Sequence, residues 1–235
     1  MSELFENKGK QLIIEKDGKR YQRLPIKTHV ITKEDDICDV VEKYAKEHIL
    51  ENDIVFISEK AVACSQGRAI PMAEIKPRKL AVFLSKYVTK TKHGIGLGIP
   101  ETMEMALREC GTLRVLFAAV ISVIGKLLKQ SGWFYHVAGS KASSIDGPTP
   151  NTIPPYNQYV VLGPKDPDKA AAAVAQRIGC NCVIVDINDL GGKILGASDK
   201  SLPCDTLVGV LSDNPLGQDS QQTPMGIIRE VTEEK

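Results

Sequence analysis

Two uninterrupted apolar runs, Ile-Val-Phe-Ile at 54–57 and Cys-Val-Ile-Val at 182–185, constrain this chain most. Each is short and lacks polar alternation, the pattern of a strand buried in a sheet. The first run delivers Ser58, Glu59 and Lys60 to its carboxyl end, and the second ends in Asp186. Hydrophobic residues make up 43% of the 235 and charged residues 25%, so there is enough apolar surface for a core that covers such strands.

The remaining pattern sets out an alternation of strands and helices. Asp17-Gly18 stands between the apolar stretches LIIE and RYQRLPI, and such a pair signals a hairpin because the turn needs positive φ. Thr32, three residues before Asp35, resembles a capping box ahead of Ile37, Val40, Val41, Tyr44 and Ala45 at helical spacing. Leu80, Phe83, Leu84, Tyr87 and Val88 repeat that period, and so do Met103, Ala106, Leu107 and Cys110, with Pro100 near the start and Gly111 at the end. Four prolines, at 148, 150, 154 and 155, make residues 146–157 a long loop. After a strand at 159–162, Asp166-Pro167 caps an Ala-rich helix that runs to Gly179. The last strand covers residues 225–228, following the polar stretch SDNPLGQDSQQTP. The order predicts an α+β fold of mixed sheets with packed helices in two parts.

Charge and cysteine usage exclude several classes of function. Thirty Lys+Arg against 29 Asp+Glu leave a net charge of +1, which gives no field to gather a phosphate backbone, so no nucleic-acid partner is expected. The six cysteines, at 38, 64, 110, 180, 182 and 204, lack the paired gaps of zinc sites and read as reduced core thiols. MSELFENKGK has no secretory pattern, and a cytoplasmic location is expected. Residues 113–128 are apolar but bracketed by Arg114 and Lys126, too short for a bilayer, and are expected to be a buried core segment with no membrane partner.

Chemistry-bearing residues concentrate after the second apolar run. Gly192-Lys193 is not a phosphate-binding P-loop, since Ile187 stands where the first glycine belongs. Gly94, Gly96 and Gly98 precede a helix, but Ile99 breaks the dinucleotide-binding spacing, so a connector is the better reading. Asp186, Asn188 and Asp189 offer hard oxygen donors at a strand end, which suit Mg²⁺ or Mn²⁺ when phosphates complete the shell; an ordinary Asx turn fits equally well. His29, His48, His93 and His136 form no close pair and are read as solvated or core residues.

Five phrases, LPIKTHVITKEDDI, NDIVFISEKAVACSQGR, LGPKDPDKAA, VIVDIND and LGQ ahead of PMGIIRE, together resemble the gamma-glutamyl ligase family of coenzyme F-420 biosynthesis. The resemblance implies a GTP-dependent, divalent-metal-dependent ligase that joins L-glutamate in amide linkage to a carboxylate or phospho-lactyl acceptor. Its partners are then the small-molecule substrate and the nucleotide. It also implies an intertwined homodimer whose subunit has a discontinuous first part, residues 1–85 plus 205–235, and an inserted second part, residues 86–204. Carried over, Leu24, Pro25, Ile26, Ser58, Glu59 and Gly217 contact the nucleotide, while Asp146, Asp186 and Gln218 hold Mg²⁺ or Mn²⁺. The chain departs from the pattern at Cys64, in place of a lysine, and at Ile187, in place of a hydroxyl residue. Lys141 stands at an aspartate position, for which Asp146 substitutes. These departures raise the alternative of a family member that has lost catalysis and acts as a nucleotide-binding or regulatory protein.

Overall fold

The computed structural model describes residues 4–88, 95–128, 130, 132–150, 152–188, 191–217 and 220–231. In chain order the elements are β1 (Ile13–Lys16), β2 (Lys19–Ile26), α1 (Ile37–Ala45), β3 (Ile54–Ser58), α2 (Glu59–Ser65), β4 (Ala69–Pro71), α3 (Lys79–Ser85), α4 (Pro100–Glu109), α5 (Thr112–Leu127), α6 (Trp133–Ala138), α7 (Ser140–Ser143), β5 (Tyr159–Val161), α8 (Pro167–Ile178), β6 (Asn181–Asn188), β7 (Gly191–Ala197), α9 (Cys204–Val210) and β8 (Met225–Val231). The fold is α+β, with a mixed six-stranded sheet and a small two-stranded one.

Two compact units result, Met1–Gly67 with Pro164–Lys235, and Arg68–Gly163. The discontinuous arrangement expected from the resemblance set its edges later, at 85/86 and 204/205. The physical reason for the difference is packing. Helix α3 docks on α4, so residues 79–85 go with the second unit, while α8 docks on α1, β6 and β7, so residues 167–197 go with the first.

In the first unit the strand order is β1-β2-β8-β3-β6-β7. Strand β3 pairs parallel to β6, and the other pairs are antiparallel. Both apolar runs are buried on two faces. Val55, Ile57, Cys182 and Ile184 meet α1 and α8 on one side; Phe56, Val183 and Val185 meet α9 on the other. The Asp-Gly turn is as expected: Asp17 (φ 53) and Gly18 (φ 73) both take positive φ, and Lys16 pairs with Lys19.

Helix ends differ from the sequence reading. Helix α1 is capped by Asp36, whose side chain accepts from the Cys38 and Asp39 amides, so Thr32 is not the cap. Thr32 and Asp35 instead close a turn of their own, with the Thr32 amide donating to Asp35 Oδ2 at 2.7 Å. Asp166 precedes α8 in a left-handed conformation without capping it, while Gly179 ends the helix at φ 79 as its position suggests. Along α3 the periodic residues Phe83 and Tyr87 are exposed and lean on one another, ring centroids 5.1 Å apart, while Ala81 is buried.

The second unit is built round α4, which buries Met103, Ala106 and Leu107 against Ile75, Leu97, Val115 and Val160. Helix α5 occupies the stretch expected to be a core segment, but only part of it is buried. Val115 and Ala118 face the core, whereas Leu113, Phe117, Val120 and Leu127 face out. Among the described residues no helix is long and apolar enough to cross a membrane. Glu104 is buried on α4. Burial works against its charge, but the Arg78 amide and the Arg108 and Arg78 guanidinium groups outweigh that cost and hold its carboxyl below the usual range.

A group whose folded pKa is lowered stabilises above its unfolded value and loses that contribution as pH falls. The stability tied to Glu104 is therefore full above pH 4.5, its unperturbed value, and is lost on acidification below that. Glu104→Gln should cost about 1–3 kcal/mol at neutral pH and flatten the acid limb of a denaturation series; an unchanged acid limb would refute this role. A second outcome concerns Gly226, where a Cβ would lie 2.6 Å from the Phe56 ring and 2.7 Å from the Leu24 carbonyl oxygen. Gly226→Ala should lower stability by about 1–3 kcal/mol in chemical denaturation, because Phe56 has no room to retreat.

Candidate functional site

The sheet register gathers most of the expected site residues of the first unit at one end. Ile26 pairs with Met225, Met225 with Ile57, and Ile57 with Ile184, forming a row across β2, β8, β3 and β6. One step past that row Ser58 pairs with Val185, and Asp186 follows. The Ser58 amide donates to the Pro224 carbonyl at 2.9 Å, which brings the segment before β8 to the same end. Open sheets place ligands outside the carboxyl ends of their strands, and β2, β3 and β6 all end here.

Local chemistry explains each position. Ser58 is the N-cap of α2, its Oγ accepting from the Ala61 amide at 3.3 Å, and Glu59 is the first residue of that helix. Leu24 and Ile26 are buried in the face covered by α1, so what this stretch can offer a ligand is backbone rather than side chain. Gly217 has φ 76, and its amide donates to the Asn214 carbonyl at 3.0 Å. The Asn214 side-chain amide in turn donates to the Gly217 carbonyl at 3.0 Å.

Asp186 projects from the face of β6 shared with Cys182 and Ile184. Its carboxylate meets Lys193, its cross-strand partner on β7, at 3.2 Å. Ile187 points the other way and packs with the cluster under α9. Asp146 belongs to the second unit, where its backbone exchanges hydrogen bonds with Val161 at 2.8 and 2.9 Å. Lys141 is exposed on α7, and Cys64 is buried in α2. Gln218 and Asp189 lie outside the described residues, as do Gly94 and His93. Among the described residues no three His, Cys, Asp or Glu side chains form a ready metal cluster.

Several contacts that hold the segment before β8 were not foreseen. Arg23 on β2 is fully buried and pairs with Asp213 while donating to the Val210 and Gln11 carbonyls. Asn7 donates to the Pro215 carbonyl and to Thr223 Oγ1, both at 2.8 Å, and Thr28 and Gln222 bond each other. These bonds pin residues 213–223 beside the sheet end. His29 is held between Tyr44 (3.0 Å) and Asp35 (2.9 Å), a placement that identifies it as a structural residue of the loop after β2. The Thr32 amide first, and His29 after it, keep the Asp35 carboxyl below its usual range. No disulfide joins the cysteines, and burial pushes Cys180 up to about 11, as expected of packing residues rather than nucleophiles.

Gly217→Ala should cost about 1–2 kcal/mol because the left-handed backbone penalises a Cβ, which would also strike the Gln221 side chain at 2.5 Å. Faster proteolysis between 213 and 223 than elsewhere would report the loosened loop, and unchanged cleavage there would refute it.

A family model described as F420-0:Gamma-glutamyl ligase matches residues 25–203. No curated protein matches the chain. With a match that covers well over half of its length, the chain belongs to the F420-0:gamma-glutamyl ligase family.

Proposed function

We propose that this protein is a nucleotide- and divalent-metal-dependent ligase that joins L-glutamate in amide linkage to a carboxylate or phospho-lactyl acceptor related to coenzyme F-420. GTP is the co-substrate and Mg²⁺ or Mn²⁺ the cation. The observation that carries the reading is the family match over residues 25–203, which spans Pro25, Ile26, Ser58, Glu59, Asp146 and Asp186. The shared sheet end of Pro25, Ile26, Ser58 and Asp186 supports it. Leu24, Gly217 and Gln218 are assigned on the resemblance alone.

Amide formation from a carboxylate needs an activated acyl group. The acceptor carboxylate takes the terminal phosphoryl group of the nucleotide, releasing the diphosphate, and the glutamate amine then displaces phosphate. In this reading the backbone of residues 24–26 and the Ser58–Glu59 turn hold the nucleotide, and Gly217 lets the pinned loop approach it. Asp186 suits a cation site, since its carboxylate already faces a positive group, the Lys193 ammonium at 3.2 Å. The exposed ammonium is displaceable, because such pairs are worth under about 1 kcal/mol. A cation held by Asp146, Asp186 and Gln218 would neutralise charge between phosphate oxygens. The resemblance adds pairing of two copies, and a cytoplasmic setting fits the same reading.

A second reading has its own support: Ile187 packs in the core and Cys64 is buried, so neither the expected hydroxyl nor the expected lysine function is supplied at those positions. In that case the chain binds nucleotide for regulation and does not turn over. Thermal unfolding separates the two. With GTP and Mn²⁺ on the order of 100 times Kd, the midpoint should rise by roughly 5–10 °C, and Asp186→Asn should remove the part that needs Mn²⁺. The absence of a shift with any nucleotide and cation would sink the ligase proposal. A shift without glutamate-dependent release of nucleoside diphosphate would favour the regulatory reading.

A further inference from the structure

Lys193 reaches Asp186 only through an irregularity in the sheet. Along β6 and β7 the pairing runs Val183 with Ala197 and Ile184 with Gly196, then shifts by one residue, so that Val185 faces Ile194 and Asp186 faces Lys193. Leu195 is the residue left over. Side chains opposite one another in an antiparallel pair stand on the same face. Had the first register continued, Asp186 would face Ile194, and Lys193 would stand opposite Ile187, on the face that α9 covers. The bulge therefore sends Ile194 into the cluster with Val185 and Ile187, and it turns Lys193 onto the face of Asp186, with ammonium and carboxylate 3.2 Å apart. Gly192 lets the strands approach closely beside this pair, since a Cβ there would lie 2.5 Å from Ile187 Cγ2 and 2.9 Å from the Asp186 carbonyl oxygen. Bulges that re-aim a side chain are concentrated beside functional sites.

From this geometry we infer that Lys193 is a ligand-binding residue: its ammonium occupies the Asp186 carboxylate until a divalent cation takes that position, and then binds a phosphate oxygen of the nucleotide. The inference rests on the nucleotide and cation reading proposed above and adds to it a residue outside the set assigned there.

The exchange follows from exposure and charge. The side chains of Lys193 and Asp186 keep 46% and 30% of their surface in solvent, so the pair is not locked by burial. A solvated pair of single charges holds weakly, and a doubly charged ion competes well for the same carboxylate. Once that ion neutralises Asp186, the ammonium has lost its counter-charge but remains on the same face, beside an ion that gathers phosphate oxygens. A flexible four-carbon stem with three donors suits it to follow the phosphate as a point charge. Strand β7 is also an edge of its sheet, where charged side chains can serve only to keep other strands from pairing. That rival is separable by experiment.

The test compares wild type, Lys193→Ala and Lys193→Arg, with Mn²⁺ titrated alone by electron paramagnetic resonance and GTP titrated at saturating Mn²⁺ by calorimetry. Lys193→Ala should bind Mn²⁺ alone about 3-fold tighter, because the competing ammonium is gone. It should bind GTP about 10-fold more weakly, because one charge-assisted contact is lost. Lys193→Arg should return GTP affinity to within about 3-fold of wild type, since it restores the charge. The unliganded thermal midpoint of both variants should stay within about 2 °C of wild type. A residue that only protects the strand edge would leave both affinities in place, and that result overturns the inference, as does any pattern in Lys193→Ala other than tighter Mn²⁺ with weaker GTP. Wild type that binds no nucleotide with any cation defeats the ligase reading and this inference with it, whereas nucleotide binding to which Lys193→Ala is indifferent overturns the inference alone.

Discussion

The parallel pairing of β3 with β6 organises everything else in this chain. Parallel neighbours cannot be joined by a tight turn, so the path from the end of β3 to the start of β6 must leave the sheet and return. Here that path holds α2, the whole second unit and α8. The pair sits inside the sheet with apolar side chains on both faces, and that two-sided burial explains the short unbroken runs in the sequence. The same geometry brings Ser58 and, one residue past its partner Val185, Asp186 to the carboxyl ends of the strands.

Buried charge does a different job. Arg23 is fully enclosed and finds its counter-charge in Asp213, beyond α9, while its Nε has no hydrogen-bond partner among the described residues. Desolvating a guanidinium costs more than a single pair returns, so its value is in placing the loop after α9 rather than in net stability. The buried Asp53 at the start of β3 and the half-buried Arg229 on β8 form a second pair, bonded at 2.9 and 2.7 Å. Both clamps tie β2 or β8 to distant segments. The loop that carries Gly217 is positioned by the Arg23–Asp213 pair together with the long-range hydrogen bonds of Asn7 and Thr28.

The candidate site was legible only in outline. Asp186 could be recognised as a carboxylate ending a buried strand, and Gly217 through a phrase that resembles the family. The role of Lys193 could not be read, because it depends on β7 folding back with a register shift that sets residue 193 opposite residue 186. Nor could Ile187 be interpreted as a core residue, since the side that each residue of β6 faces is defined only once α9 covers one of them. For the same reason the hydrophobic count of residues 113–128 suggested burial, whereas one face of α5 is left uncovered within the chain.

What the sequence determined by itself is local and steric. The positive φ that Asp17-Gly18 tolerates makes the first hairpin, Pro100 and Gly111 bracket α4, Gly179 ends α8, and two unbroken apolar runs become the inner strands. What tertiary structure decided is everything that requires two distant segments to meet. This includes the pairing of Arg23 with Asp213, the Lys193 ammonium at Asp186, and the outward face of α5. Backbone preference acts within a few residues and is written in them, whereas burial and pairing are properties of the assembled core, which no single stretch of chain contains.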